Sequence, residues 1–435
     1  MKVLFSFPLV FCLFLFSNGT AQFSVSVHIE GKSSQEAFKE AYLYTISGTK
    51  DVLVSKITPV NGKIFFKYPK EYFGIQKLYF SYPNTVVNFI SENKDVEIML
   101  KVNGDKLQDI NYLDESNFLM DKMQDIIRKK ENVLPILLRV ETFYKKSDNF
   151  YKVLEKEISA LSSSFKMDTD KHPFISFFHT GYLKYVHQES SASLASDDIV
   201  NFLANSNEML ETSTLVRPIL LNLLKVSNKS NNGNETVVNN LFSKVDIESS
   251  RGQMLLSELI DVFDAYGMAS LKNKYLEQAK SLKCIIGDRL SRTLNSNKNV
   301  ELGSTFENTN LENPVNTKAK TLYDIQANKK VVVFWASTCS HCEKYIPQFI
   351  PYYKRLKKMK TEIIGLSLDS DKESYLEKAK NFPWPNASEL RGWNSSYSQK
   401  YNVHATPTYF ILNSKNQIIA KPESFREVKP LLGLK

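Results

Sequence analysis

The run Val331-Val332-Val333-Phe334-Trp335 is apolar at every position, and Cys339-Ser340-His341-Cys342 follows it after a short link. A short stretch without polar alternation reads as a strand covered on both faces, as in a parallel sheet with helices above and below. The C-terminal part of the chain is thereby directed to an α/β layer architecture with the cysteine pair just beyond a central strand. The residues that follow agree. Tyr345 to Lys360 reads as a helix, Ile363 to Leu368 as a second buried strand, and Lys372 to Asn381 as another helix. Thr408 to Leu412 and Gln417 to Ala420 read as strands around an Asn413-Ser414-Lys415-Asn416 turn. The order is βαβαββ with a short tail, plus an extra helix-strand length of chain before the last hairpin.

The period of the apolar residues changes twice along the chain. Phe23, Val25, Val27 and Ile29 alternate with polar neighbours, as do Val96, Ile98 and Leu100, so this part is expected as half-buried strands. Asn61-Gly62 between Val52-Leu53-Val54 and Ile64-Phe65-Phe66 predicts a hairpin, because a tight turn needs positive φ that Asn and Gly accept. An antiparallel β-sandwich is expected over 22–110. From 111 to 298 apolar residues recur at three and four, as in Tyr151, Leu154, Ile158, Leu161 and Phe165, and in Tyr275, Ala279, Leu282, Ile286 and Leu290. This predicts an α-helical region, with Ser227 to Glu235 as an exposed loop and Cys284 on a helix. The α/β part spans 299–435, so the expected architecture is multidomain.

A chain of 435 residues exceeds one ordinary core, and its 42% hydrophobic and 24% charged content is that of a folded protein. The net charge of +9 is spread over segments where acidic residues interleave, with no arginine-rich run or basic-aromatic patch. That excludes nucleic acid as the expected partner. Lys2, the apolar stretch from Val3 to Phe16 and the small residues Gly19-Thr20-Ala21 read as an export signal over 1–21, cleaved after Ala21. The apolar stretch falls short of the roughly 20 residues a membrane span requires. Cys12 would leave with it, and Val10-Phe11 lacks the small residue that lipoprotein processing before Cys12 would want. The expected location is beyond the inner membrane, in the periplasm.

The exported chain then keeps Cys284, Cys339 and Cys342. A structural disulfide framework in an oxidising compartment shows a distributed, even set, whereas a CxxC with one cysteine left over points to catalysis. A CxxC opening a helix has a physical purpose: the unpaired N–H groups and the positive end of the helix dipole favour a thiolate on the first cysteine. Cys339 is the expected nucleophile. Cys342, one turn on, is placed to attack the resulting mixed disulfide and release the substrate.

Phe334-Trp335-Ala336 before the pair, Pro347 after it, and Ala405-Thr406-Pro407-Thr408 before a strand occur together in the thioredoxin superfamily, which this part of the chain resembles. Leu302-Gly303-Ser304, Thr321 to Ile325 and Trp335 to Cys339 look like its exported TlpA/ResA-type branch. Gly31, Tyr42-Leu43-Tyr44 and Asn61-Gly62-Lys63 resemble the N-terminal β-domain that precedes such domains in Bacteroidetes. The resemblance implies a thiol-disulfide oxidoreductase of protein-disulfide reductase or isomerase type, needing no cofactor. It implies that Pro407 is a cis proline facing the cysteines and that the backbone of Thr406 pairs with an extended substrate segment. Trp335 and His341 are the residues expected to tune the redox couple. Histidine also occupies the place of His341 in strongly oxidising DsbA-like enzymes, and each pKa unit is worth roughly 30 mV. Expected partners are protein thiols or disulfides of the cell envelope, a membrane or soluble redox partner, and a second copy through the N-terminal or helical regions.

Two departures from the resemblance stand out. Thioredoxin has a buried aspartate where this chain has Val333, and ResA-like proteins have a glutamate where it has Tyr345. No general base for Cys342 is evident; Glu343 is adjacent but directed elsewhere. Competing readings are a metal site of Cys339, His341 and Cys342 completed by His404, which lacks the second ligand pair usual for zinc, and a non-catalytic envelope protein using the fold as scaffold. Peroxidase chemistry is disfavoured because the Pro-x-x-x-Thr-x-x-Cys arrangement is absent. Cys284 reads as a quiet thiol, with an intermolecular disulfide as its alternative, and the Asn228 and Asn234 sequons as incidental.

Overall fold

The computed structural model describes residues 23–33, 37–68, 70–163, 165, 167–187, 194–229 and 233–434; the expected export segment over 1–21, with Cys12, lies outside them. The strands that open the chain are β1 (Phe23–Ser33), β2 (Ala41–Ser47), β3 (Lys50–Ile57), β4 (Lys63–Tyr68), β5 (Phe73–Phe80), β6 (Thr85–Glu92), β7 (Val96–Gly104) and β8 (Lys106–Tyr112). Helices follow: α1 (Glu115–Asn132), α2 (Leu134–Glu141), α3 (Asn149–Ser162), α4 (Pro173–Gly181), α5 (Ser196–Asn205), α6 (Val216–Lys229), α7 (Asn234–Lys244), α8 (Ser250–Ala265), α9 (Ala269–Lys280) and α10 (Asp288–Asn299). The remainder is β9 (Lys329–Trp335), α11 (Ser340–Tyr345), α12 (Ile350–Lys358), β10 (Thr361–Ser367), α13 (Lys372–Ala379), β11 (Asn386–Ser388), α14 (Ser396–Lys400), β12 (Thr408–Asn413), β13 (Ile418–Ala420) and α15 (Phe425–Leu431). These elements fall into two compact units, one from within 1–34, 58–73 and 90–172, the other from 35–57, 74–89 and 173–435.

The early strands form two four-stranded sheets, ordered β4-β1-β7-β8 and β3-β2-β5-β6. In the first, β1 runs antiparallel to β4 but parallel to β7, with Val27 opposite Ile98. This corrects the expectation of purely antiparallel pairing. Parallel neighbours need a long crossover, and the chain between β1 and β7 supplies it. The expected hairpin is corrected as well. Asn61 and Gly62 do take positive φ, and Val60 and Lys63 exchange backbone hydrogen bonds of 2.9 and 3.0 Å. Pro59, however, has no N–H to extend the ladder, and β3 pairs with β2 while β4 pairs with β1.

In the second unit, α5 to α10 enclose a core that includes Leu220, Leu223, Leu255, Leu259, Phe263, Tyr275 and Leu290. Glu258 on α8 is fully buried. It accepts from the Thr49 N–H at 3.0 Å and from Arg217 at 2.9 Å, and also pairs with Arg289. The helix expected to run from Tyr275 through Leu290 is interrupted: α9 ends at Lys280 and α10 begins at Asp288. The Gln253 side chain replaces the missing ladder, donating to the Ile285 carbonyl at 3.1 Å and accepting from the Gly287 N–H at 2.8 Å. Cys284 therefore lies in the connection, with its sulfur 3.3 Å from Gln253 Nε2, and not on a helix.

The last sheet has the order β11-β10-β9-β12-β13, with β9, β10 and β11 parallel and β12 and β13 antiparallel. Its central strand β9 is covered on both faces. Val331, Val333 and Trp335 enter one core with Cys342, Phe349 and Tyr409, while Val332 and Phe334 enter the other with Phe306, Tyr401 and Phe410. The helix expected from Tyr345 instead starts at Ser340 and is broken by a 3₁₀ turn over Ile346–Phe349 before α12 resumes. Pro347 and Pro351 lack the N–H groups a continuous α-helix would use. The expected tail folds as α15, whose Phe425 and Val428 seal the core beside Cys342.

Candidate functional site

Strand β9 delivers Trp335 to the carboxyl edge of the sheet, and the loop after it is held from the neighbouring strand. Asp369, buried just beyond β10, accepts from the Ser337 N–H at 2.8 Å and from the Ser337 hydroxyl at 2.7 Å. Its other oxygen accepts from the Ser367 hydroxyl at 2.7 Å, and the Leu368 N–H donates to the Trp335 carbonyl at 2.7 Å. These bonds fix the loop that ends at Cys339. The sequence reading missed Asp369, whose local signal was only a Ser-x-Asp following a buried strand.

Cys339 caps α11, and its sulfur accepts from the Cys342 N–H at 3.3 Å. Across the site the peptide before Pro407 is cis, and the Cys339 thiol donates to the Thr406 carbonyl at 3.2 Å. Cys339, Cys342, Thr406 and Pro407 are thus brought to one place, with both cysteines free thiols. Their environments differ sharply. Burial pushes the Cys339 thiol up, but hydrogen bonding to its sulfur from the Thr406 side chain, from Cys342 and from the N–H of His341 outweighs it and holds the thiol below its ordinary value. Burial, followed by the bond to Cys339, pushes the Cys342 thiol up to about 12. The two thiols are thus shifted in opposite directions, the exposed-side Cys339 down and the buried Cys342 up.

The exposed His341 ring stacks on Tyr345 at 6.2 Å between centroids. Its backbone N–H is the part that bears on the Cys339 sulfur. Trp335 is buried beneath the motif, edge-on to Phe382 at 5.2 Å, and its indole N–H finds no partner among the described residues. Glu343 is paired with Lys378 at 2.8 Å. His404 meets Asn402 at 3.0 Å and Asp264 at 3.8 Å. Among the described residues no three His, Cys, Asp or Glu side chains gather as a metal site.

Beside the sulfurs lies a cavity of about 780 Å³ whose wall includes His341, Tyr345, Thr406, Pro407, Tyr409 and Phe425, with Glu423, Arg426 and Lys429 also lining it.

A covered central strand leading to a CxxC on a helix, faced by a cis-proline loop, defines a thioredoxin-like domain. Comparison with known proteins agrees: residues 328–418 match a family model described as thioredoxin-like. Over 98 residues the chain is 24% identical to sporulation thiol-disulfide oxidoreductase A of Bacillus subtilis, an alignment that takes in 21% of this chain and 58% of that relative. The chain therefore spans little more than half the length of the curated relative it matches. Solved structures include the thioredoxin domain of a Bacteroides vulgatus thiol-disulfide oxidoreductase, 20% identical, with a TM-score of 0.27 over 30% of this chain and 98% of that one. Another is a Bacteroides fragilis thiol-disulfide oxidoreductase, 22% identical, with a TM-score of 0.26 over 30% of this chain and 99% of that one.

Proposed function

We propose that this protein is an exported thiol-disulfide oxidoreductase of the periplasm that exchanges disulfides with protein substrates through Cys339 and Cys342. The observation that carries this reading is the asymmetry of the pair: a Cys339 sulfur held by N–H donors beside an open cleft, and a buried Cys342 whose N–H touches it. In the reducing direction the Cys339 thiolate attacks a substrate disulfide, expelling one substrate thiolate and forming a mixed disulfide. Cys342 then attacks Cys339, and the second substrate thiolate leaves. Two electrons pass to the substrate, and the two thiol protons end on its sulfurs. Thr406 and Pro407 orient the substrate segment, and Trp335 and His341 tune the couple, the latter through its N–H.

Export is supported by the apolar stretch from Val3 to Phe16, and no helix among the described residues is long and apolar enough to cross a membrane. In this reading residues 299–435 carry the chemistry. The β region of 22–110 and the helical region of 111–298 bind a partner, pair protomers or present substrate. The test is insulin reduction together with refolding of a reduced protein, using the full chain and its Cys339→Ser variant. Loss of both activities in the variant is expected; any retained activity overturns the reading.

A further inference from the structure

Cys342 must become a thiolate to resolve the mixed disulfide, yet its thiol is 2% exposed and pushed up to about 12 by burial. A bare thiolate there would be costly without a donor pointed at it. The carboxylates that could serve are absent: Val333 and Tyr345 occupy the two relevant positions, and Glu343 is turned to Lys378.

Directly opposite Val333 in the β9–β12 register stands Tyr409. Paired residues of adjacent strands project to the same face, and Val333, Cys342 and Tyr409 lie in one core. Tyr409 is 1% exposed, and its hydroxyl oxygen has no hydrogen-bond partner among the described residues. A buried phenol without a partner is destabilising in the resting state and so invites a use elsewhere. The same side chain forms part of the wall of the cleft that runs past Tyr345 and Pro407, so it connects the buried sulfur with the place where substrate leaves. The titratable groups facing it are Cys342, Cys339 and Tyr345; burial first, then the charges those sulfurs would carry, keeps the phenol protonated and hence a donor.

We propose that the Tyr409 hydroxyl is the positioning donor for Cys342, forming its hydrogen bond to the sulfur as that sulfur becomes a thiolate and attacks Cys339. This rests on the exchange mechanism above and supplies the polar partner its second step lacks. The Cys342–Cys339 bond forms as the bond from Cys339 to the substrate sulfur breaks. The proton of Cys342 passes to the departing substrate thiolate, while Tyr409 ends the step neutral, as it began.

The experiment uses the full-length reduced protein and an aromatic disulfide whose thiolate is coloured, such as bis(nitrobenzoate) disulfide. Attack by Cys339 releases one coloured thiolate in a first phase, and attack by Cys342 releases another in a second. Tyr409→Phe is expected to leave the rate of the first phase unchanged and to slow the second about tenfold or more, moving its pH profile upward. Thermal stability should be equal or higher, since only an unpartnered hydroxyl is removed. A second phase with unaltered rate and pH profile overturns the proposal, as does equal slowing of both phases. Cys342→Ser identifies the second phase by abolishing it. Absence of the first phase in the unaltered protein would instead sink the exchange mechanism itself.

Discussion

The Cys342 N–H points at the Cys339 sulfur from 3.3 Å, while the Cys342 thiol itself is buried beneath it. One residue thereby donates to its neighbour's sulfur and is itself withheld from solvent.

Alkylation should separate the pair. Because the thiolate is the reacting species, the iodoacetamide rate at Cys339 rises about tenfold per pH unit until it levels off below the ordinary thiol value of about 8.5. Cys342, its thiol pushed up to about 12 by burial, should remain unlabelled at neutral pH in the folded protein. Peptide mass mapping across a pH series checks both, and labelling of Cys342 ahead of Cys339 would reverse the assignment.

Asp369 should matter to activity without touching substrate. Replacing it with Ala removes the acceptor for the Ser337 N–H and hydroxyl and for Ser367. A buried donor left unpaired costs roughly 1–3 kcal/mol. The expected result is a lower unfolding midpoint in urea and slower insulin reduction, as the loop before Cys339 loosens.

Glu258 gives the second unit an acid-labile point. Burial pushes its carboxyl up, but Arg289 and Arg217 outweigh that and hold it below the usual carboxylate value. A depressed folded pKa stabilises the fold above the unfolded value of about 4.3 and loses that stabilisation as pH falls through the folded one. Stability should therefore drop below about pH 4.3, and Glu258→Gln should flatten that part of the profile. At neutral pH the same substitution removes the direct charge partner of Arg289, 7% exposed, which keeps its bond to the Ser47 carbonyl, at a cost of up to about 3–5 kcal/mol. Urea titrations of both proteins across the acid range measure these effects.

Gly365 tests the packing under the motif. A Cβ there would lie 2.1 Å from Asn386 Oδ1 and 2.9 Å from Trp335 Nε1. Gly365→Ala should separate β10 from β11 at a cost of about 1–3 kcal/mol, and should alter Trp335 fluorescence.

What the sequence made legible was local. Val331 to Trp335 reads as a covered strand because burial on both faces leaves no polar alternation, and Cys339 with Cys342 reads as a CxxC pair, although its helix starts at Ser340 and not at the expected Tyr345. The pairing of Asn61-Gly62 was legible only as a turn, because which strands join beyond it depends on partners far along the chain. The break near Cys284 was hidden in the same way: its apolar spacing remains helical, and the Gln253 side chain on another helix decides the outcome. Asp369 and Tyr409 belong to the site through the tertiary fold, so no motif around Cys339 could name them.

The central claim is that Cys339 is the attacking sulfur and Cys342 the resolving one. The most direct measurement is to mix reduced Cys342→Ser protein with a disulfide-containing protein, quench with acid and identify covalent adducts by mass spectrometry. A stable mixed disulfide through Cys339 is predicted, with none formed by Cys339→Ser. Adducts through Cys342 in the Cys339→Ser protein, or none in either variant, would contradict the account.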